Sequence, residues 1–382
     1  MGPLQGKRII EIAGLGAGPF CGMLFADMGA DVIVIDRKPG AAPESGATLA
    51  PEFTIANRGK RSIALDLKQP GAVDVVLRLL KEADGLIEGF RPGVMERLGL
   101  GPEPCLDVNP RLVYGRMTGW GQNGPLAEAA GHDLNYIALS GALRFSGRAD
   151  SPPTSPATIV GDVCGGAMML AVGMLAAILS AQSSGKGQVV DAAMTDGSAL
   201  ATSLVYAVFN SGLWSRTRES NLLDGGSHWY DCYECADGNY ISLGALEPEF
   251  YALLLEKLGL ADNPDFAAQY DARRWPELKH RFAEIFKART RQQWCELLEG
   301  SDACFAPVLD FEEAAEHPHN VQRGTFTTVE GVTQPAPAPR FSKTASGISS
   351  PPPRPGEHTD DVLGLAGYSA SETAALAEQG IV

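Results

Sequence analysis

The chain has 382 residues, 45% apolar and 20% charged, with a formal net charge of -15. That is enough chain for two or three domains with a full hydrophobic core, and the acidic balance argues against nucleic acid or a membrane as a partner. Seven scattered cysteines make no disulfide framework and fit a reducing compartment. The stretch from Met1 to Gly6 lacks the charged and apolar regions of a signal peptide, so a cytoplasmic location is expected.

Arg8-Ile9-Ile10-Glu11-Ile12 reads as a short buried strand. Gly14, Gly16 and Gly18 read as a tight turn, Pro19 to Met28 as a helix closed by Gly29, and Asp31 to Asp36 as a second strand. Strand, turn, helix and strand form a βαβ unit, which predicts a parallel doubly wound sheet. Asp36 stands where a dinucleotide site would place its ribose-binding acid. The G-x-G-x-x-G pattern nevertheless fails, because the third glycine position is Cys21 counted from Gly16 and Pro19 counted from Gly14.

Asn57-Arg58-Gly59-Lys60-Arg61-Ser62 is the densest basic patch of the first half. Cations so close together suit phosphate groups, with a solvated turn as the plainer reading. A helix at 72–82, a strand at 85–88, the turn Phe90-Arg91-Pro92-Gly93 and a strand at 112–117 follow. That last strand runs into a glycine-rich loop from Thr118 to Pro125, the region where open α/β sheets bind ligands.

Next come His132-Asp133 and Gly161-Asp162, each at the head of an apolar run. One proton carrier of each kind, on opposite sides of a carbon, could remove a proton from one face and return it to the other. Locally, Asp133 reads as the N-cap of a helix reaching Leu143, and Asp162 as the N-cap of an apolar helix from Val163 to Leu179. That run is interrupted by glycines and short for a membrane span, so a core helix is the better reading. A further helix is expected from about 197 to 213.

Ser183 to Gln188 fails the P-loop pattern, and no G-x-S-x-G occurs. Leu223-Asp224-Gly225-Gly226 marks a change of domain. Tyr230 to Leu246 reads as a hairpin turning at Asp237-Gly238. Cys232 and Cys235 form C-x-x-C, but no fourth zinc ligand lies near, and no metal is expected. Helical faces follow around Phe250, Trp275 to Ile285 and Trp294 to Leu298. The prolines of 335–339 and 351–355 favour an extended segment crossing a surface.

Taken together, several motifs resemble the family III CoA-transferases and, within them, the α-methylacyl-CoA racemases, nearly end to end. They are Gly131-His132-Asp133-Leu134-Asn135-Tyr136, Arg58-Gly59-Lys60-Arg61-Ser62, Gly185-Lys186-Gly187-Gln188, Asn221-Leu222-Leu223-Asp224-Gly225-Gly226, Ala245-Leu246-Glu247-Pro248 and Gly356-Glu357-His358-Thr359. The resemblance implies an α/β protein with a Rossmann-like large domain from 1–200 and 335–382. It implies a smaller α+β domain at 225–320, linkers at 201–224 and 321–334, and an interlocked homodimer. Each active site would join the large domain of one subunit to the small domain of the other.

By the same resemblance, His132 and Asp162 are the proton carriers, and Glu247 supports the histidine across the dimer. CoA is bound by Arg37, Arg58, Gly59, Lys60, Arg61, Arg91, Gly131, Asp133, Asn135 and Tyr136. No separate cofactor is implied, because CoA is part of the substrate. The expected reaction interconverts (2R)- and (2S)-2-methylacyl-CoA thioesters through an enolate. The alternative is CoA transfer between carboxylic acids with Asp162 as nucleophile, and the joint presence of His132 and Glu247 favours the racemase. Val163-Cys164 departs from the aromatic-small pair of the family pattern, which bears on pocket shape.

Overall fold

A computed structural model describes residues 2–38 and 49–382. Six short apolar runs form one sheet: β1 (Arg8–Ile12), β2 (Asp31–Asp36), β3 (Arg61–Ala64), β4 (Gly85–Glu88), β5 (Val113–Thr118) and β6 (Val189–Ala193). All pairs are parallel, in the order β3-β2-β1-β4-β5-β6. The first βαβ unit predicted such a parallel, doubly wound sheet. Its winding reverses between β1 and β4, which opens a crevice at the carboxyl ends of those strands.

Alternate residues of each strand feed opposite faces of the sheet. Ile10, Ile12, Ile33 and Ile35 pack with the helix Pro70–Leu80 and with Val362, Leu363 and Leu376. Ile9, Val32, Ile87 and Val113 pack with the helix Ala17–Asp27 and with Leu170, Met174 and Ala177. Those last residues belong to a continuous helix, Ile159–Ser184, the one helix among the described residues long and apolar enough to cross a membrane. Its inward stripe fills the core against the sheet, while Val172 and Leu179 stay exposed. The helix expected at 197–213 is two, Met194–Ala201 and Ser203–Asn210, broken at Thr202 where the backbone leaves the helical region.

The chain divides into two compact units, residues 1–141, 157–201 and 324–382 in the first and 142–156 and 202–323 in the second. This differs from the expected boundaries. The stretch 142–156 joins the second unit because Arg148 Nη1 donates to Glu219 Oε1 at 2.9 Å and Asp231 Oδ2 at 2.7 Å. The residues expected as a linker at 201–224 also belong there, and Arg218 Nε donates to the Arg148 carbonyl at 3.0 Å. Most of the other expected linker carries an antiparallel hairpin of the first unit, Phe326–Val329 with Val332–Pro335.

The second unit is α+β. Its antiparallel sheet runs Cys232–Glu234, Tyr240–Leu243, Phe305–Val308, under the helices Pro248–Lys257, Trp275–Phe286 and Arg291–Leu298. Trp229, Tyr233, Phe266, Phe282 and Phe286 fill the space between. Cys232 is exposed and Cys235 buried, as alternation along a strand dictates. Burial pushes the Cys235 thiol up to about 11.

Candidate functional site

Two cavities open at the carboxyl ends of the central strands. The larger, about 800 Å³, lies past β1, β2, β3 and β4 and is walled by Asp36, Arg37, Lys38, Lys68, Phe90 and Arg91. The smaller, about 260 Å³, includes Gly14, Leu15, Arg91, Trp120, His132 and Tyr136 in its wall. Ile12, Phe90 and Arg91 belong to both. Arg91 therefore stands where a cationic cavity meets the one carrying the histidine.

The turn that presents Arg91 is held from below. Glu88 ends β4, and its carboxylate accepts from the Phe90 amide at 2.8 Å. Burial pushes that carboxyl to about 7 despite the Phe90 amide and nearby Arg116, with Glu96 and Asp191 adding to the rise. Sequence reasoning missed Glu88, although an acid closing an apolar strand is a visible signal. It also missed Lys38 and Lys68. Lys38 Nζ donates to the carbonyls of Gly380 and Val382, both at 2.9 Å.

His132 occupies the N-cap position of the helix Asp133–Ser140, with an extended backbone. Its amide donates to Asn135 Oδ1 at 3.1 Å, so Asn135 works on the helix start itself. The Tyr136 hydroxyl donates to the Gly131 carbonyl, and its ring stands edge-on to Trp120 with centroids 4.7 Å apart. A Cβ at Gly131 would lie 2.8 Å from the Tyr136 ring, so only glycine passes between the two aromatic groups. The helix ends at Gly141 in the left-handed region, short of the expected Leu143.

Neither aspartate caps its own helix, contrary to expectation. Asp133 is the first helical residue, and its Oδ2 reaches to another helix, Ile159–Met168, which winds as a π-helix. There it accepts from the amides of Gly161 at 2.6 Å and Asp162 at 2.8 Å. A Cβ at position 161 would come within 2.5 Å of that oxygen, which explains the glycine. The starts of two helices, one bearing His132 and the other Asp162, are thus tied through one buried carboxylate.

Asp162 lies in the first turn of its helix, and its Oδ2 accepts from Thr158 Oγ1 at 2.5 Å. Burial raises its pKa above the ordinary carboxylate range, and the charge of Asp133 acts the same way. The Thr158 hydroxyl and the neighbouring His132 pull it down without reversing the direction. Across from it is Gly16, where a Cβ would sit 3.4 Å from Asp162 Oδ2. Gly16 precedes the helix Ala17–Asp27, whose first turn carries no acidic residue. A carboxyl that keeps its proton up the pH scale, beside an imidazole and two helix starts, is equipped for proton transfer at carbon.

The basic patch is placed otherwise than its sequence promised. Lys60 is fully buried, and its ammonium donates to Glu11 Oε2 at 2.7 Å, Glu11 Oε1 at 2.9 Å and the Pro19 carbonyl at 3.0 Å. Arg58 is buried too, forked onto Asp27 at 3.0 and 2.6 Å and donating to Gln334 Oε1 and the Pro335 carbonyl. Arg61 pairs with Asp31 at 2.6 Å. The Gly59 amide donates to the Ser350 carbonyl at 2.9 Å. The donors of Arg58 and Lys60 go to protein acceptors, so in this structure these two serve as internal ties. The cations that do line the large cavity are Arg37, Lys38, Lys68 and Arg91.

Glu247 belongs to the second unit, at the N-cap of the helix Pro248–Lys257. Its charge, after burial, helps to raise the pKa of the Cys304 thiol.

Residues 4–359 match the CoA-transferase family III domain. The chain is 44% identical over 381 residues to α-methylacyl-CoA racemase of Mus musculus, covering 99% of this chain and 97% of that one. It is 42% identical to α-methylacyl-CoA racemase of Homo sapiens over the same shares. Among solved structures, a CaiB/BaiF family protein from Brucella suis superposes with a TM-score of 0.80 at 25% identity, covering 96% of this chain and 99% of that one. With this match across nearly its whole length, the chain belongs to CoA-transferase family III.

Proposed function

We propose that this protein interconverts the (2R) and (2S) epimers of a 2-methylacyl-CoA thioester by passing the α-proton between His132 and Asp162. The observation that carries the reading is the Asp133 carboxylate, which fastens the helix start bearing His132 to the one bearing Asp162. The nucleotide end of CoA takes the larger cavity, with Arg37 and Arg91 on its phosphates. The acyl end takes the smaller cavity, beyond Arg91.

The α-proton of a thioester is weakly acidic, so the enolate must be stabilised as it forms. Amides in the first turn of a helix have no partner within it, and one aimed at the enolate oxygen contributes a few kcal/mol. The helix Asp133–Ser140 offers such amides. Neutral His132 takes the proton from one epimer while protonated Asp162 delivers to the opposite face. The reverse direction starts with the charges exchanged. In an interlocked homodimer, which exposed apolar side chains such as Leu139, Val172 and Leu179 support, Glu247 of the partner subunit would orient the imidazole. No further cofactor takes part in this scheme, and we place the enzyme in the cytoplasm.

The test is a single epimer of a 2-methylacyl-CoA incubated with the protein in D₂O without an acceptor acid. Deuterium enters the α-position by NMR, and chiral chromatography shows the epimers approaching equal amounts. Absence of exchange, with CoA instead passing to an added carboxylate, would leave a transferase using Asp162 as nucleophile. Arg91→Ala should raise KM for the thioester about ten- to a hundredfold in steady-state assays, the size of one lost charge-assisted contact, with a smaller change in kcat.

A further inference from the structure

The start of the helix bearing Asp162 has an unusual backbone. Ala157 and Thr158 are consecutive non-glycine residues with positive φ, +53° and +64°. A β-branched residue is a rare occupant of that region, and the fold must hold it there against its preference. Thr158 also occupies the N-cap position, where a threonine hydroxyl ordinarily accepts from an amide of the first turn. Here it makes no such bond. Asp133 caps the amides of Gly161 and Asp162 from the neighbouring helix, and the Thr158 hydroxyl is released to donate to Asp162 Oδ2.

We propose that Thr158 is a positioning residue for Asp162: its hydroxyl fixes the Oδ2 edge of the carboxylate and leaves Oδ1 to carry the transferred proton. This rests on the racemase reading given above. Oδ2 accepts from Thr158, and the glycine at 16 keeps the space beside that oxygen clear, since a Cβ there would stand 3.4 Å from it. The titratable groups facing Asp162 are Asp133, His132 and Tyr136, all from the stretch 132–136. Asp133 disfavours the ionised carboxylate and His132 favours it, as does the hydroxyl of Thr158. Removing that hydroxyl raises the proton affinity of Asp162 and frees the carboxylate to rotate. The acid and base limbs of the rate profile belong to the His132–Asp162 pair, and the acid limb moves to higher pH.

The test uses three variants of the full chain. Thr158→Val removes the hydroxyl and keeps the β-branch. Thr158→Gly removes it and also relieves the left-handed backbone, so unfolding cannot account for lost activity. Thr158→Ser keeps the hydroxyl. Expected are a kcat for epimerisation lowered about tenfold in the valine and glycine variants, a KM near that of wild type, an acid limb displaced upward, and recovery in the serine variant. ¹³C NMR titration of labelled aspartate, with Asp162→Asn to assign the signal, should show the carboxyl titrating at higher pH in Thr158→Gly than in wild type. An unmoved titration, or profiles of the valine and glycine variants that overlay wild type, overturns the proposal. Wild type without exchange, but with the displaced titration, overturns the racemase reading and leaves the Thr158 contact standing.

Discussion

Substituting His132 by alanine should lower α-deuterium wash-in by about 10²–10⁴-fold, the usual contribution of a positioned acid or base, and Asp162→Ala should do the same. A double variant should fall little below either single one, because two groups that pass one proton act as a unit. The pair also separates the two chemistries of the family. A transferase that forms an acyl-aspartyl anhydride needs Asp162 and can dispense with His132. CoA transfer surviving in His132→Ala, at a rate that Asp162→Ala abolishes, would establish that chemistry. Wash-in at the wild-type rate in His132→Ala would remove the histidine from the mechanism. The raised carboxyl of Asp162 suits the assignment, because one direction of the reaction requires its protonated form.

Lys60→Met should cost about 3–5 kcal/mol of stability, the penalty for leaving one member of a buried ion pair alone. Calorimetry should show a fall in Tm on the order of 10 °C. Glu11 would remain in the apolar centre of β1 without the ammonium that now meets both its oxygens. Adding Glu11→Leu should restore most of the loss, since apolar residues often replace a buried ion pair without penalty. A Lys60 that served CoA phosphate would behave in the opposite way. The variant would then melt near wild type and show a raised KM, and that outcome would return Lys60 to the nucleotide site.

The contrast between His132 and Lys60 shows what could be read from residue order. β1, the glycine turn, the first helix and β2 were legible because each is a local pattern of apolar spacing and turn residues. A parallel doubly wound sheet followed from the first βαβ unit, whereas the order of its six strands came only from the structure. The ion pairs of the basic patch could not be read from it, because its partners are distant. Asp27, Asp31 and Glu11 come 30 or more residues earlier, in a helix and two strands. Glu11 within an isoleucine-rich strand was itself the signal that a cation had to reach it. The two aspartates were misread as caps for a related reason. A cap can be supplied from another helix, as Asp133 supplies Gly161 and Asp162, and no local window contains that bond. Thr158 was invisible because its role depends on a left-handed backbone, which threonine does not advertise.

The stretch from 324 onward does more than close a surface. The Gly356 amide meets the Ser62 hydroxyl, and the two residues are 294 positions apart along the chain. Val362, Leu363 and Leu376 complete the same core as Ile10 and Ile33. During synthesis, then, the first βαβ unit emerges early and waits with one apolar face uncovered. The second unit, almost continuous from 202 to 323, has its antiparallel partners in hand sooner. Contacts of such long range are slow to form, and an open parallel sheet is prone to mispairing while it waits. Chains halted shortly before 356 should therefore still lack the residues that close this face of the sheet, Val362, Leu363 and Leu376.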